Sequence, residues 1–309
     1  MSPQVLVLVP SYNHGRFISK RLQTVLDQTY TSLQLLVIDD GSSDNTAAEL
    51  SKFHDTRLRV MRRSFNSGSP FTAWIEARDE LIKAHYDYIW IAESDDFAET
   101  TFLERGLREL QNTPSAALYY CHSWMIDEED LIIGHSINYL RQNFPQIQWQ
   151  HNWHMEGPRF ASQLLLNGMA IPNMSSALIR ADAFSAAVEP SLCNFKLAGD
   201  WAFSMRLATQ GSVIFDSWDG NSFRQHARTS RRETETPRAL LEYMVATYYA
   251  YIYAGAPKGN VAKQLAVWSR ICKENHIQLA SLSSICDPHL RPYLDDILAC
   301  LPVDAPSRR

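Results

Sequence analysis

The 309-residue chain has the length of one large domain with an appendage, because α/β domains often exceed the average domain length. Its composition, 45% hydrophobic and 20% charged, is that of a globular protein, and its net charge of −5 argues against a general binder of nucleic acid. The five cysteines are widely spaced and form no CxxC pair, so we expect reduced thiols rather than a disulfide framework or zinc site.

No run of the sequence reaches the ~18 apolar residues of a membrane span. The apolar opening at residues 5–9 lacks a basic segment before it and is too short for the core of a signal peptide. We therefore expect a cytoplasmic protein without a secretion signal, and peripheral attachment to the inner face of the membrane stays open.

Strands and helices alternate over the first 110 residues. The aliphatic run at 4–9 predicts a strand covered on both faces, and apolar residues at helical spacing predict a helix after it. The same order returns with strands at 33–38, 58–61 and 88–92. This alternation predicts a doubly wound, mostly parallel α/β sheet whose ligand crevice lies beyond the carboxyl ends of these four strands.

The pattern loosens at 122–158, where polar and aromatic residues are crowded. A long irregular stretch in a compact domain is usually functional, so we expect a wall or lid over the crevice and a hairpin near 131–133. Further elements follow, with helices at 160–166 and 200–210 and strands at 175–179 and 213–215.

The character of the sequence changes again after a basic run at 224–232. We predict a main domain over 1–232 and a helical region over 233–309, with helices at 237–254, 260–276 and 290–300. The tyrosines of the first of these helices are expected to pack against the main domain rather than face a membrane, because aromatic residues on a helix are usually core residues.

Three carboxylates follow the fourth predicted strand: Glu93, Asp95 and Asp96. Concentrated negative charge at this edge of the sheet suggests Mg²⁺ or Mn²⁺, which take oxygen ligands and often share them with substrate phosphates. A turn rich in Asp that caps the next helix is the alternative, and it is the commoner meaning of one such turn taken alone.

Neither a G-x-G-x-x-G motif nor a P-loop is present, so phosphate must be held in another way. Three motifs each follow a predicted strand: Val9-Pro-Ser-Tyr-Asn13, Val37-Ile-Asp-Asp-Gly-Ser-Ser-Asp44 and Ala92-Glu-Ser-Asp-Asp96. In this order they resemble the family 2 glycosyltransferases of the GT-A fold, over about residues 5–232. The resemblance implies an inverting enzyme that uses a nucleotide-activated sugar and a divalent metal.

The resemblance also implies roles for individual residues. The base and ribose of the nucleotide would be lined by residues after the first two strands: Pro10, Tyr12, Asp39 and Asp40, with Asp40 as the base contact. Asp95 would contact the ribose or sugar, and Asp96 would bind Mn²⁺ or Mg²⁺. Glu93 occupies the first acidic position of the family's D-x-D element, and whether it reaches the metal stays open.

Transfer of a glycosyl group to a hydroxyl requires a base for the acceptor and stabilisation of the departing diphosphate. The segment Leu197-Ala-Gly-Asp-Trp201 looks like the acceptor-side motif of the family, which makes Asp200 the expected general base. Gly199 is expected to permit a sharp turn before it. The alternative for Asp200 is a simple helix N-cap.

Two further loops are candidates for the donor site. Gly68, within Asn66-Ser-Gly-Ser69, is expected to close one side of the nucleotide site. His226 is expected to meet the diphosphate or metal, because the family often has a His after the Arg of this basic run; a solvated basic loop is the alternative. Pro172-Asn173 faces the acceptor or forms a turn. The spacing of His151 and His154 occurs in zinc sites, but no further ligands accompany them.

The sequence therefore predicts an inverting glycosyltransferase that moves a sugar from a UDP- or dTDP-sugar to a hydroxyl of a glycan or lipid-linked acceptor, in polysaccharide biosynthesis. A sugar nucleotidyltransferase is an alternative, but it would normally have a Gly-rich basic loop after the first strand. A non-catalytic carbohydrate-binding subunit is a second alternative, against which the presence of both Asp96 and Asp200 argues.

Overall fold

The computed structural model describes residues 2–226, 235–286 and 288–301. The basic run beyond residue 226, the predicted boundary at 232–233 and the C-terminal tail lie outside the described residues. The strands are β1 (Val5–Ser11), β2 (Leu33–Asp39), β3 (Leu58–Arg62), β4 (Tyr88–Ile91), β5 (Phe97–Ala98), β6 (Ala116–Ile126), β7 (Ile132–His135), β8 (Trp153–Met155), β9 (Ala177–Arg180) and β10 (Ser212–Arg224).

The α-helices are α1 (Ile18–Leu26), α2 (Thr46–Leu50), α3 (Thr72–Ala84), α4 (Phe102–Asn112), α5 (Ser136–Asn143), α6 (Gly157–Phe160), α7 (Ala181–Ala187), α8 (Gly199–Leu207), α9 (Thr236–Ile252), α10 (Lys258–Glu274), α11 (Leu279–Ile285) and α12 (Arg291–Cys300). Short turns of π- or 3₁₀-helix occur at Ala161–Leu165, Met174–Ser176 and Pro190–Asn194.

One mixed sheet organises the fold, with the strand order β3-β2-β1-β4-β9-β6-β10-β5. The first four strands along the chain are parallel neighbours, as predicted, and Val9 lies opposite Val37 in the register of β1 and β2. Strand β9 runs antiparallel to β4 and β6, whereas β6 and β10 are parallel. The carboxyl ends of β1, β2 and β4 therefore meet at one edge.

Strand β1 contributes to both layers of the core. Leu6 and Leu8 belong to an apolar cluster with residues of α3 and α8, and Val5, Val7 and Val9 belong to a second cluster with residues of α1 and α4. Side chains alternate between the faces of a strand. Burial on both faces accounts for the unbroken apolar run and confirms the predicted central strand.

The strand predicted at 213–215 is much longer, because β10 continues to Arg224. Its apolar pattern ends after residue 215, where the sequence turns polar. Several of these polar groups are paired inside the protein; for example, Arg105 Nε lies 2.5 Å from a carboxylate oxygen of the buried Asp216. Shifts in the pairing of β10 with β6 interrupt the regular alternation. The end of this strand reaches the turn after β4, where Arg224 N donates to Asp96 Oδ1.

The predicted hairpin near 131–133 is confirmed, because β7 pairs antiparallel with the end of β6. The helices predicted after residue 233 correspond to α9, α10 and α12, and α11 was not predicted. Tyr248 and Tyr249 of α9 are buried, which confirms the packing role, while Tyr251 is exposed. One apolar cluster runs from α8 into these helices. Within the described ranges, no helix has the length and apolar character needed to cross a membrane.

Candidate active site

A cleft of about 1190 Å³ opens at the carboxyl ends of β1, β2 and β4, where the sequence predicts it. The walls include residues of α5, from the stretch predicted to form a wall, and residues of α9 and α10. All but one of the site residues predicted from sequence line this cleft: Pro10, Tyr12, Asp40, Gly68, Asp95, Asp96, Asp200 and His226. The structure thus brings together residues that are up to 216 positions apart in the sequence.

Asp40 ties two loops together at one end of the cleft. Its carboxylate accepts hydrogen bonds from Ser67 N at 3.1 Å and Ser67 Oγ at 2.8 Å, and Arg63 Nη1 lies 2.5 Å from Oδ1. Gly68 follows with φ +82°, a conformation that favours glycine, and open space lies around the position of a Cβ. Tyr12 exposes 45% of its surface beside them. This end of the cleft therefore presents the ring of Tyr12, the carboxylate of Asp40 and the accessible backbone at Gly68.

Asp39 is the predicted residue that does not reach the cleft. It is completely buried, its Oδ1 accepts a hydrogen bond from Ser42 N at 3.0 Å, and its Oδ2 lies 3.1 Å from Arg62 Nε. A carboxylate without exposed surface cannot contact a ligand in this conformation. Asp39 therefore shapes the loop after β2, and its predicted direct contact with the nucleotide is not supported.

Asp96 belongs to the acidic turn, which we define as residues 93–96, and its side chain is buried. Its Oδ2 accepts hydrogen bonds from Asn173 Nδ2 at 2.8 Å and Ser175 Oγ at 2.7 Å, and its Oδ1 accepts one from Arg224 N at 2.8 Å. Burial first, and then the neighbouring Asp95, raise the pKa of Asp96 to about 6. Both oxygens already have protein donors, so the geometry favours a structural role over the predicted metal ligation.

Asp95 points to the other side of the turn, towards two imidazoles. Its Oδ2 lies 2.9 Å from His226 Nε2, and one ligand atom from each of His14, Asp95 and His226 lies within 4.8 Å of the others. Burial alone would raise the pKa of Asp95, but His14 and His226 outweigh it, so the pKa lies below its ordinary value. His14 was not predicted, although it lies in the polar turn that directly follows the first motif.

The group of His14, Asp95 and His226 fits a divalent ion that accepts nitrogen as well as oxygen ligands. Imidazole suits first-row transition metals, whereas Mg²⁺ prefers oxygen alone. Ser94 Oγ lies 2.7 Å from His14 Nδ1, so the opposite ring nitrogen is the one that can face an ion. Among the described residues, His151 and His154 join no such group. The chemistry of the donor set favours Mn²⁺ over Mg²⁺.

Two buried arginines, Arg21 and Arg224, donate hydrogen bonds to the backbone of the acidic turn. Arg21 has no exposed surface; its Nε donates to Glu93 O at 2.8 Å, and its Nη2 lies 3.9 Å from Asp96. Burial lowers the pKa of Arg21 to about 10, so the side chain stays cationic at neutral pH. Arg224 Nε donates to Asp95 O at 2.7 Å. Arg21 was not predicted, although a cation on the apolar face of α1 was a signal.

Glu93 is the first carboxylate of the acidic turn, and it is close enough to Asp200 for their charges to interact. Burial first, and then the charges of Asp95 and Asp96, raise the pKa of Glu93 to about 8, and Asp200 contributes in the same direction. A divalent ion held at Asp95 would act in the opposite direction, because a nearby cation favours the ionised carboxylate.

Asp200 is the second residue of α8, and its side chain is partly exposed in the cleft. Its Oδ1 accepts a hydrogen bond from Trp201 N at 2.7 Å. The N-cap is Ala198, so the simple N-cap interpretation is wrong. Gly199 is needed for packing rather than for a sharp turn, because a Cβ there would lie 2.4 Å from the Phe71 ring.

The segment before Asp200 is fixed by a glutamate from the C-terminal helices. Glu242 of α9 is fully buried, and its carboxylate accepts hydrogen bonds from the backbone N–H groups of Lys196, Leu197 and Ala198 at 2.8–3.1 Å. Arg238 Nε donates to it at 2.7 Å. This contact was not predicted, although a glutamate within the apolar sequence of α9 was a signal.

Comparison with solved structures confirms the GT-A fold. The chain resembles TarS residues 1–349 from S. aureus, solved in complex with UDP-GlcNAc, with a TM-score of 0.63, 16% identity, and coverage of 97% of this chain and 82% of that chain. It also resembles the mannosyltransferase PcManGT from Pyrobaculum calidifontis, solved with GDP-Man and Mn²⁺, with a TM-score of 0.55, 14% identity, and coverage of 97% and 86%.

Sequence relatives cover shorter segments. A UDP-Glc:alpha-D-GlcNAc-diphosphoundecaprenol beta-1,3-glucosyltransferase, WfgD of Escherichia coli, is 37% identical over 37% of this chain and 44% of its own length. The glycosyltransferase GlyG of Streptococcus pneumoniae is 28% identical over 45% of this chain and 41% of its own length. The chain thus spans less than half the length of these relatives. The family model described as glycosyl transferase family 2 matches residues 6–184, more than half of the chain, and the protein therefore belongs to that family.

Proposed function

We propose that the protein is an inverting glycosyltransferase that transfers a sugar from a nucleoside-diphosphate sugar to a hydroxyl group of a glycan or lipid-linked saccharide. The observation that carries the proposal is a single cleft that contains the nucleotide-side residues, the group of His14, Asp95 and His226, and Asp200. We name the part around Asp40, Gly68 and Asp95 the donor half, and the part around Asp200 and α9 the acceptor half.

The relatives support UDP as the nucleotide. A neighbour with the same fold was solved with UDP-GlcNAc, and the E. coli relative is named for UDP-Glc. In the donor half, the exposed ring of Tyr12 can stack on a base while Asp40 accepts a hydrogen bond from it. These contacts do not distinguish a UDP-sugar from a dTDP-sugar, since uracil and thymine both offer a ring and an N–H group. The preference for UDP rests on the relatives.

Asp200 has the chemistry and the position for a general base. Its carboxylate takes the proton of the acceptor hydroxyl as that oxygen attacks the anomeric carbon, while the bond between that carbon and the diphosphate oxygen breaks. One displacement of this kind inverts the anomeric configuration. Its position in the first turn of α8 stabilises the anionic form before the proton is taken up, because a helix N-terminus favours negative charge.

The departing diphosphate needs positive charge in the donor half. A divalent ion held by His14, Asp95 and His226 supplies a Lewis acid for phosphate oxygens when it is bound. Arg21 and Arg224 hold the acidic turn in place by donating hydrogen bonds to the backbone oxygens of Glu93 and Asp95. No general acid is required, because the leaving group is a stabilised anion.

The test is an assay of nucleotide release with a panel of UDP-, dTDP- and GDP-sugars, Mn²⁺ and saccharide acceptors, followed by NMR of the product's anomeric configuration. We expect release of a nucleoside diphosphate from one donor and an inverted linkage. Release of pyrophosphate would instead identify a nucleotidyltransferase. Binding of saccharides without turnover of any donor would identify a non-catalytic subunit.

A further inference from the structure

The cleft extends beyond Asp200 onto the C-terminal helices. Tyr243 of α9 and Trp268 of α10 line the same cleft as Asp200, and their ring centroids lie 5.3 Å apart. Both rings adjoin Trp201, with centroid distances of 5.9 Å from Tyr243 and 6.3 Å from Trp268. Since Trp201 directly follows Asp200, the three rings form a cluster beside the proposed base.

These rings differ from the core aromatic residues of the same helices. Tyr249 is completely buried, whereas Tyr243 and Trp268 are only half-buried. Trp268 Nε1 donates to Thr247 Oγ1 at 2.9 Å, which fixes the orientation of its indole. A partly exposed and oriented ring offers an apolar face to a ligand. Pyranose rings carry C–H groups on one face and hydroxyl groups around the edge, so they suit such a surface.

Hydrogen-bonding groups lie on another wall of the same cleft. Asn143 and Asn167 line it, and their Nδ2 atoms donate to Tyr139 O and Gln163 O, both at 2.8–2.9 Å. These bonds orient the two amide groups, so each Oδ1 can accept a hydrogen bond from a hydroxyl group. An aromatic cluster together with oriented amide oxygens is a surface for a polar ligand with apolar faces.

The size of the cleft indicates more than one ligand. Its volume of about 1190 Å³ exceeds the ~300–1,000 Å³ that is usual for one small molecule. A nucleotide sugar in the donor half therefore leaves room at Asp200 and beyond it. The aromatic cluster lies beyond it, on the side of the C-terminal helices.

We propose that Tyr243 and Trp268 form an acceptor subsite that stacks a pyranose ring next to the sugar whose hydroxyl group reaches Asp200. The acceptor is then an oligosaccharide of at least two sugars, rather than a monosaccharide. This inference rests on the proposed function and names the acceptor class for it. It also gives the C-terminal helices a direct part in substrate recognition.

The test titrates GlcNAc and chito-oligosaccharides of two to four units, and chondroitin di- and tetrasaccharides, into the full chain with UDP and Mn²⁺, by calorimetry. In one of the two series, we expect the tetrasaccharide to bind at least tenfold more tightly than the shorter saccharides of that series. Tyr243→Ala and Trp268→Ala should each remove that gain, and Tyr243→Phe should keep it. Tyr251→Ala is the matched control, because Tyr251 lies on the same helix and outside the cleft lining.

Thermal unfolding of each variant separates lost binding from lost folding. Failure of every saccharide to bind the wild-type chain, or equal binding by the folded Tyr243→Ala and Trp268→Ala variants, overturns the subsite. Binding of UDP-sugars and their hydrolysis by water are measured on the same samples. A chain that binds and hydrolyses a donor but lacks the length dependence retains the proposed function and loses only the subsite, whereas a chain that does neither loses the proposed function.

Discussion

The donor and acceptor halves of the cleft are built in different ways. In the donor half, Tyr12, Asp40 and Asp95 follow the buried strands β1, β2 and β4, so the sheet itself fixes their positions. In the acceptor half, Asp200 begins a helix whose preceding segment is held by Glu242, a residue of another helix. The acceptor half therefore depends on the docking of the C-terminal helices.

Under the proposed function, this difference separates recognition of the donor from recognition of the acceptor. The donor half takes its groups from strand ends and from residues that precede the C-terminal helices, so it can remain constant while those helices change. Function in such folds commonly varies through the elements around a fixed scaffold. We therefore expect changes in the acceptor half to alter turnover and acceptor use, and changes in the donor half to alter binding of the nucleotide and metal.

The largest effect is expected for Asp200→Asn, which removes the proposed base without changing the side-chain size. The turnover number should fall on the order of 10³-fold, because an amide cannot take up the proton of the acceptor hydroxyl. The affinity for UDP, measured by calorimetry, should change little, since the donor half is intact. Turnover within a few-fold of the wild-type value would show that another group is the base.

The sequence predicted the donor half more completely than the acceptor half. Apolar runs in the sequence locate β1, β2 and β4. The polar residues that follow each run mark the end of the strand, so they can also be identified from the local sequence. The missed residues have partners that are distant in sequence: His14 contacts Ser94, 80 positions away, Arg21 contacts Glu93, 72 positions away, and Glu242 contacts Lys196, 46 positions away. Sequence patterns report local periodicity, and such pairs exist only after the layers have packed.

The acidic turn shows the same limit at single-residue scale. Asp95 and Asp96 are adjacent and chemically identical, so composition could not tell which of them meets the imidazoles. The partners decide: Asn173, Ser175 and Arg224 surround Asp96, while the imidazoles surround Asp95.

A pair of substitutions tests that assignment in the donor half. Asp95→Asn should weaken Mn²⁺ binding, measured by calorimetry with UDP present, by about tenfold to a hundredfold, because it removes the anion between the imidazoles. Asp96→Asn should instead lower the free energy of unfolding by about 3 kcal/mol, because it leaves the buried Arg21 without its nearest carboxylate. If Asp96→Asn lost the metal and Asp95→Asn kept it, the sequence-based assignment of Asp96 would be restored.

Glu242→Ala tests whether the C-terminal helices act on the acceptor half. Three backbone N–H groups would lose their acceptor, so the segment before Asp200 should shift and the turnover number should fall by roughly tenfold, while the UDP affinity is retained. Glu242→Gln keeps one carbonyl oxygen and should retain more of the activity. This control distinguishes a local shift before Asp200 from a general loss of folding. Equal losses of turnover and UDP affinity in both variants would mean that Glu242 supports the whole fold.

The smallest effect is expected for Asp40→Asn in the donor half. The carboxylate binds the backbone and side chain of Ser67 and pairs with Arg63, which also pairs with Glu76, so one carboxamide oxygen can keep part of the loop in place. The loss should be about 1 kcal/mol, a roughly fivefold higher KM for the donor. The turnover number should stay near the wild-type value, because the substitution leaves Asp200 and its support untouched. A fall in the turnover number at saturating donor would show that the two halves are coupled through the cleft rather than separable.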